Sequence, residues 1–192
     1  MPYTSLTARR PMRIAFATIA AALVAACASD TTPTASAPHS AHANASASAT
    51  LTAEQLQGVA SVRRATNAFQ SLANAQAAGY TMQYPAGCAQ SPVGVQGFHY
   101  LNPGLVDGEI ELLRPELVMY EPQPDGSLQL IGVDYVVPFT EWTDDSPPTL
   151  LGVPFMRNEG LGVWALHIWA WRPNPIGMFA MWNPNASCEY AS

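Results

Sequence analysis

Residues 117–137 read LVMYEPQPDGSLQLIGVDYVV, and this stretch determines the expected class of fold. Two runs rich in β-branched and aromatic residues, Leu117–Tyr120 and Leu128–Val137, are separated by a segment with two prolines and the dipeptide Asp125-Gly126. Such a dipeptide between two apolar runs is a strong short-range signal for a β-hairpin. The stretch therefore predicts two antiparallel strands.

The hairpin also predicts a register. If its turn has two residues, Val118 lies opposite Val133, and Glu116 lies opposite Tyr135. Further strands are predicted at Phe98–Leu101, Val163–Trp171 and Met178–Trp182. Strands that follow one another through hairpins form an antiparallel sheet.

One long helix precedes the predicted strands. Thr52 and Gln55 form the pattern of a capping box, and Gly79 provides a C-terminal stop. Between them, apolar residues recur at spacings of three and four over Ala53–Ala78, with a local loosening expected at Gly58. The predicted fold class is α+β, with one long N-terminal helix packed on an antiparallel, strongly curled β-sheet.

The start of the chain has the pattern of an export signal. Three arginines before position 14 are followed by the uncharged apolar run Ile14–Ala26, which is too short for a membrane span. The residues ending at Cys27 resemble the lipobox of bacterial lipoproteins, which implies cleavage before Cys27 and its lipidation. Ala28 at the next position favours the outer membrane. The alternative is cleavage at an Ala-x-Ala site, which gives a soluble periplasmic or secreted protein.

The sequence predicts three parts: a signal peptide at residues 1–26, a lipidated cysteine with an Ala/Ser/Thr-rich tether at 27–50, and a single α+β domain at 51–192. After Cys27 there are five arginines, no lysine and 14 acids, a net charge of −9. This charge argues against nucleic acid as a partner, and the lack of lysine excludes Schiff-base chemistry. The expected partners are the membrane, through the lipid anchor, and a small molecule or an envelope component.

Two cysteines, Cys88 and Cys188, remain once Cys27 is assigned to lipid. An oxidising compartment favours a disulfide between them, which would close a loop of about one hundred residues. The alternatives are two buried free thiols or a metal-binding pair.

Two histidines and one glutamate are the candidate metal ligands. His99 and His167 are the only histidines of the predicted domain, and Glu116 begins the hairpin. Imidazoles and a carboxylate on adjoining strands form a three-ligand site with an open position, which suits a divalent transition metal such as zinc, iron or copper. The alternative is hydrogen-bonded core histidines, with Glu116 paired to Arg114 or Arg172.

Aromatic residues close to these positions are the candidate residues for an organic ligand. They are Tyr135, Trp169 and Trp171, and strand alternation places His167, Trp169 and Trp171 on one face. These rings predict either a small-ligand site or a surface for a glycan or protein partner. The alternative is that they pack in a core.

The second half of the chain carries a series of short motifs. They are His99-Tyr100-x-Asn102, Arg114-Pro115-Glu116, His167-x-Trp169-x-Trp171, Asn174-Pro175-x-Gly177-x-Phe179 and Trp182-Asn183-Pro184, with Cys188 at the end. Together they resemble a family of small exported bacterial proteins of unassigned function. The resemblance covers roughly residues 80–188 and implies no established activity, cofactor or catalytic residue. This chain departs from the pattern at Asp134, where glutamate is usual, and at Met181, where an acid is usual.

Three functions are compatible with these residues. The first is a binding module for a metal or small ligand that uses His99, Glu116 and His167. The second is an envelope interaction or structural lipoprotein with an aromatic face for a partner or glycan. The third is a metal-assisted hydrolase, which needs a general base such as Asp134.

Overall fold

A capped helix opens the part of the chain that the computed structural model describes, residues 50–191. Helix α1 spans Ala53–Thr66. The backbone N–H of Gln55 donates to the Thr52 hydroxyl at 3.1 Å, and the backbone N–H of Thr52 donates to the Gln55 side chain at 3.0 Å. The predicted capping box is therefore confirmed.

The prediction of one continuous helix over Ala53–Ala78 is wrong. A 3₁₀ turn over Asn67–Gln70 follows α1, and a second helix, α2, spans Leu72–Ala77. The Phe69 carbonyl in the turn accepts a hydrogen bond of 2.7 Å from the Tyr120 hydroxyl in the sheet. Because this carbonyl bonds to the sheet, it does not join an α-helical ladder, and the helix breaks although the apolar periodicity continues.

Two glycines have the roles that their backbone geometry requires. Gly79 has φ 102°, and the next residue, Tyr80, donates its backbone N–H to the Ala75 carbonyl at 3.1 Å, so the predicted stop is confirmed. Gly58 does not loosen α1, which is continuous there. A Cβ at Gly58 would lie 2.5 Å from a methyl of Leu151, so glycine allows close packing against the helix.

The described residues contain eight strands, of which six form one antiparallel sheet. Their bounds are β1 Met82–Ser91, β2 Gly94–Leu101, β3 Leu117–Pro122, β4 Leu128–Pro138, β5 Thr149–Leu150, β6 Val153–Pro154, β7 Met156–Asn158 and β8 Val163–Ile168. The six-stranded sheet is strongly curled and has the order β1-β2-β3-β4-β8-β7, while β5 and β6 pair separately. The predicted α+β class is confirmed.

The central hairpin keeps the predicted pairing although its turn differs. Val118 pairs with Val133 as predicted. The turn has three residues rather than two, since the Gln123 N–H donates to the Ser127 carbonyl at 2.9 Å. A β-bulge at Ile131 adds one residue to β4 and cancels the shift that the longer turn introduces.

Two other strand predictions fail at the C-terminal end. The strand predicted over Val163–Trp171 ends at Ile168, and no strand forms over Met178–Trp182. The Trp169 N–H instead donates to the Met178 carbonyl at 3.0 Å, outside any strand ladder. The chain therefore leaves the regular alternation after β8.

The two faces of the curled sheet have different coverings. The helices pack on the first face, where the core includes Val59, Val62, Tyr120, Tyr135 and Ile168. The second face carries a smaller buried cluster of Met119, Ile131, Trp169 and Ala186. His99, Asp134 and His167 lie on this second face.

The predicted disulfide between Cys88 and Cys188 is confirmed, with 5.9 Å between the two Cα atoms. It joins β1 to the C-terminal segment across 100 residues of chain. Next to it, Asn183 and Val95 exchange backbone hydrogen bonds of 3.0 and 3.1 Å. The C-terminal segment is therefore attached to the β1–β2 hairpin at two points.

The predicted signal peptide at residues 1–26, the lipidated Cys27 and the tether up to residue 49 lie outside the described residues. Over residues 50–191, the structure contains no helix with the length and apolar character needed to span a bilayer. The envelope location and the lipid anchor stay predictions.

Candidate functional site

Three polar side chains that are distant in the sequence come together on the second face of the sheet. They are His99 on β2, Asp134 on β4 and His167 on β8, with exposed fractions of 3%, 5% and 4%. One possible ligand atom from each lies within 4.8 Å of those of the other two. We call these three residues the His–Asp cluster.

The curl of the sheet explains how the histidines meet. Asp134 and His167 are direct partners in the β4–β8 ladder, so their side chains share a face. His99 lies three strands away from His167, which on a flat sheet would separate them by about 14 Å. Their ring centroids are only 5.8 Å apart. The second face is therefore concave at the cluster.

Each member of the His–Asp cluster presents a buried polar atom that has no hydrogen-bond partner among the described residues. These atoms are Nδ1 of His99, Oδ1 of Asp134 and Nε2 of His167. The 3.6 Å between Nε2 of His167 and Oδ2 of Asp134 is too long for a hydrogen bond. A buried polar group without a partner costs about 1–3 kcal/mol, so three at one point call for a physical explanation.

Burial sets the protonation state of the cluster. It lowers the pKa of His99 to about 4, against a smaller opposing effect of a backbone hydrogen bond with Gly97. Burial, with the neighbouring His99, also lowers the pKa of His167 to about 3. Burial, followed by the charge of Glu116, raises the pKa of Asp134 well above its ordinary value. At neutral pH both imidazoles are therefore uncharged, which is the form that binds metal ions.

Trp169 holds the His167 ring from one side. Their rings are nearly parallel, with an interplanar angle of 14° and centroids 6.2 Å apart. The indole N–H of Trp169 donates to the Ala180 carbonyl at 2.6 Å, which fixes the indole. Because the indole cannot rotate freely, it restricts the orientation of His167.

Glu116, the predicted third ligand, does not belong to the cluster. It immediately precedes β3, and its carboxylate accepts a hydrogen bond of 3.1 Å from the Val136 N–H. The next residue, Leu117, faces the second face opposite Asp134, so alternation directs Glu116 to the first face. The predicted grouping is therefore corrected, and Asp134 contributes the carboxylate that lies beside the two histidines.

The two arginines considered as partners of Glu116 are engaged elsewhere. Arg114 pairs with Glu111 at 2.6 Å, at the surface. Arg172 pairs with the buried Glu121 at 3.4 Å. Glu116 therefore has the Val136 backbone as its hydrogen-bond donor and no arginine pair among the described residues.

The predicted organic-ligand residues are divided between the two faces. Trp169 lies beside the cluster, as described above. Tyr135 is fully buried in the first-face core, where its hydroxyl donates to the Leu112 carbonyl at 2.7 Å. Trp171 follows the end of β8 and packs with the same core, with its indole N–H donating to the Thr66 hydroxyl at 3.2 Å.

A cavity of about 770 Å³ opens from the cluster, and all three cluster residues line it. Its wall is mostly apolar and comes from the β1–β2 hairpin, from β3, β4 and β8, from the loop between β7 and β8, and from the C-terminal segment that the disulfide holds. Apolar wall residues include Leu101, Val106, Val136, Leu161, Val163 and Met181. The three cluster residues thus adjoin a space large enough for a small molecule.

From the sequence, Asp134 was predicted only as a possible general base and not as a member of the candidate metal site. A signal for its membership was present, because Asp134 is a charged residue within an otherwise apolar strand. The predicted pairing of Val118 with Val133 also puts Asp134 opposite Leu117 and on the other face from Glu116.

Burial of Glu116 leads to a testable dependence of stability on pH. Burial raises its pKa to about 8 from 4.5, and the carboxylates of Asp107 and Glu111 add to the rise, against the backbone hydrogen bonds. The folded state therefore holds this proton more tightly than the unfolded state. The contribution of protonated Glu116 to the stability of the folded state is complete below about pH 4.5 and is lost as the pH rises to about 8.

Below about pH 6.5 the lowered pKa values of His99 and His167 act in the opposite direction, so Glu116 is read from the difference between two slopes. We expect the free energy of unfolding of the metal-free wild type to fall more steeply, or to rise less steeply, with pH than that of Glu116→Gln. Glu116 contributes at most about 1.4 kcal/mol per pH unit to the slope of the free energy of unfolding against pH. Asp134 acts in the same direction, so part of the slope remains in the variant. Urea unfolding between pH 5 and 8 measures this, and equal slopes for the two proteins would contradict the prediction.

Comparisons of the chain with protein-family models, with curated proteins and with solved structures find no match.

Proposed function

We propose that this protein binds a divalent transition-metal ion through His99, Asp134 and His167. The observation that carries the proposal is the convergence of three buried donors from three strands, each with an atom that has no partner among the described residues. A cation bound between the three side chains would give buried polar atoms of the cluster a partner. No other group of three or more metal-ligating side chains occurs within residues 50–191.

The donor set indicates the class of metal. Two imidazoles and one carboxylate are ligands of zinc, and the same set holds non-haem iron(II) with open coordination positions. Ligand bonds of about 2.0–2.2 Å put donor atoms on one ion within about 4 Å of each other. The ligand atoms of the three side chains lie within 4.8 Å of one another, which is close to this distance. Small side-chain movements would therefore bring them to one ion. Further coordination positions would face the cavity.

The other two functions receive less support. A glycan-stacking face needs exposed rings, but Trp169 is buried and Trp171 is half-buried and hydrogen-bonded to Thr66. A metal-assisted hydrolase needs a general base besides the ligands. Asp134, the base considered for it, is used in the cluster, and the described residues that line the cavity include no other carboxylate.

The metal proposal is tested by equilibrium dialysis of the full chain, freed of metal and carrying no histidine tag, against Zn²⁺ and Co²⁺. We expect one ion per chain and a rise in the melting temperature with metal concentration. A variant with His39→Ala and His42→Ala controls for binding outside the described residues and should retain the ion. A wild-type protein that retains no ion and shows no rise would overturn the proposal.

We propose further that the protein is exported and anchored in the outer membrane through lipid on Cys27. The support is the basic and apolar segment that ends at Cys27, together with a disulfide in the domain, which suits an oxidising compartment. Labelling of bacterial cells with radioactive palmitate should label the wild-type protein and not Cys27→Ala. An unlabelled wild-type protein in the soluble periplasmic fraction would instead support cleavage at the Ala-x-Ala site.

A further inference from the structure

The cavity above the His–Asp cluster has a nearly uncharged wall. None of the arginines lines it, and Asp134 is its one carboxyl group among the described residues. The polar side chains in the wall are mainly amides, and two of these already bond within the protein. Gln96 donates to the Met181 carbonyl at 3.0 Å, and Asn158 accepts from the Leu161 N–H at 3.2 Å.

This wall disfavours a charged ligand. A carboxylate or phosphate that enters an apolar cavity loses its hydration, and this loss is large unless a cationic partner replaces the water. The nearest arginine in sequence to the cavity loop, Arg157, pairs with Glu159 at 2.5 Å and stacks over Phe139, so its guanidinium is engaged outside the cavity lining. An uncharged ligand meets no such penalty.

The size and the position of the cavity define the ligand further. A volume of about 770 Å³ falls within the range of small-molecule sites, which is about 300–1,000 Å³. The His–Asp cluster is part of the cavity lining, together with apolar residues of β4, β8 and the C-terminal segment. A ligand that reaches the cluster therefore has apolar side chains around the rest of its body.

We infer that the cavity binds an uncharged, largely apolar organic molecule with one nitrogen or oxygen donor, and that this donor coordinates the metal held by the cluster. The inference rests on the proposed metal site and adds the chemical class of the ligand. The apolar body contributes affinity by leaving water, and the donor orients the molecule.

Four probes separate the contribution of the apolar body from that of the donor. Their binding to the Co²⁺-loaded protein is measured by calorimetry and from the visible spectrum of the ion. They are pyridine, 4-phenylpyridine, biphenyl and 4-(pyridin-4-yl)benzoate. We expect 4-phenylpyridine to bind about tenfold or more tightly than pyridine, because its second ring is buried against the wall. The benzoate should bind at least about tenfold more weakly than 4-phenylpyridine, because its carboxylate finds no partner. Biphenyl should bind without changing the Co²⁺ spectrum.

A pair of valine variants tests whether the probes occupy this cavity. Val163 is half-buried and lines the cavity, whereas Val93 is 64% exposed and lies outside it. We expect Val163→Trp to remove most of the advantage of 4-phenylpyridine over pyridine while keeping the wild-type Co²⁺ spectrum, which also reports that the site is folded. Val93→Trp adds the same ring at the surface and should behave like the wild type.

The outcomes distinguish the ligand inference from the metal proposal. Co²⁺ binding without preference for 4-phenylpyridine over pyridine and the benzoate would overturn the inference and leave the metal site intact. Equal effects of Val163→Trp and Val93→Trp would also overturn it. Failure of the wild-type protein to bind Co²⁺ would overturn both.

Discussion

Asp134→Asn is expected to lower the affinity of the protein for Zn²⁺ by at least about 100-fold. Loss of an outer partner of a metal ligand commonly lowers affinity 10- to 100-fold, and Asp134 would be a direct ligand. The amide is uncharged and a weaker donor than a carboxylate, so one of three protein ligands is removed. His167→Ala should have an effect at least as large, since it removes the imidazole that pairs with Asp134 across the β4–β8 ladder.

The chain supplies a matched control for this change. Glu116→Gln makes the same replacement of a buried carboxylate by an amide, but on the first face and outside the cluster. We expect it to retain wild-type affinity for Zn²⁺. Competition with a chromophoric zinc chelator measures all three variants.

Two results would contradict this prediction. Equal affinities of the wild type and Asp134→Asn would mean that any ion binds elsewhere. An equal loss in Asp134→Asn and Glu116→Gln would mean that the loss reflects damage to the fold. Circular dichroism of the metal-free variants, with their melting temperatures, separates a local from a global effect.

Removal of the disulfide is expected to give the largest loss of stability. Replacement of both Cys88 and Cys188 by alanine should lower the free energy of unfolding by about 2–5 kcal/mol. The bridge closes a loop of 100 residues, and its absence gives the unfolded chain more conformational freedom. Because total stability is about 5–15 kcal/mol, a loss of this size can unfold a large fraction of the protein.

The same change should weaken the cavity. β1 and the C-terminal segment, which the bridge connects, supply wall residues such as Ala89, Gln90 and Met181. We expect the affinity for 4-phenylpyridine to fall in the double variant at temperatures where it is still folded. Urea unfolding measures the stability, with Cys27→Ala as the control that removes the third cysteine. A loss below about 1 kcal/mol would contradict the proposed contribution of the bridge.

Local patterns in the sequence predicted the parts of the fold that depend on neighbouring residues. The capping box at Thr52 and Gln55, the stop at Gly79 and the central hairpin all follow from hydrogen bonds over a few residues. The break after α1 could not be predicted in this way, because the carbonyl of Phe69 bonds to a tyrosine 51 residues later. The strand β1 was missed because its residues include Pro85 and Gly87 and lack an apolar alternation.

The candidate site, too, was predictable in part from the sequence and in part depends on contacts between distant residues. The two histidines were correctly identified as neighbours because they are the only histidines of the domain and both occupy predicted strands. The carboxylate beside them is that of Asp134 and not that of the predicted Glu116, because alternation reverses the face with every residue. Glu116 and Leu117 therefore point to opposite sides of the sheet, although they are neighbours in the sequence.

The sequence by itself determined the α+β class, the pairing of Val118 with Val133, and Cys88 and Cys188 as the candidate disulfide pair. These follow from short-range hydrogen bonding, from the period of two along a strand and from the small number of cysteines. Only the tertiary structure decided that His99 and His167 approach to 5.8 Å and that Asp134 stands with them. The physical reason is the curl of the sheet, which depends on the twist summed over all its strands and on what packs against each face, and no short stretch of sequence specifies that sum.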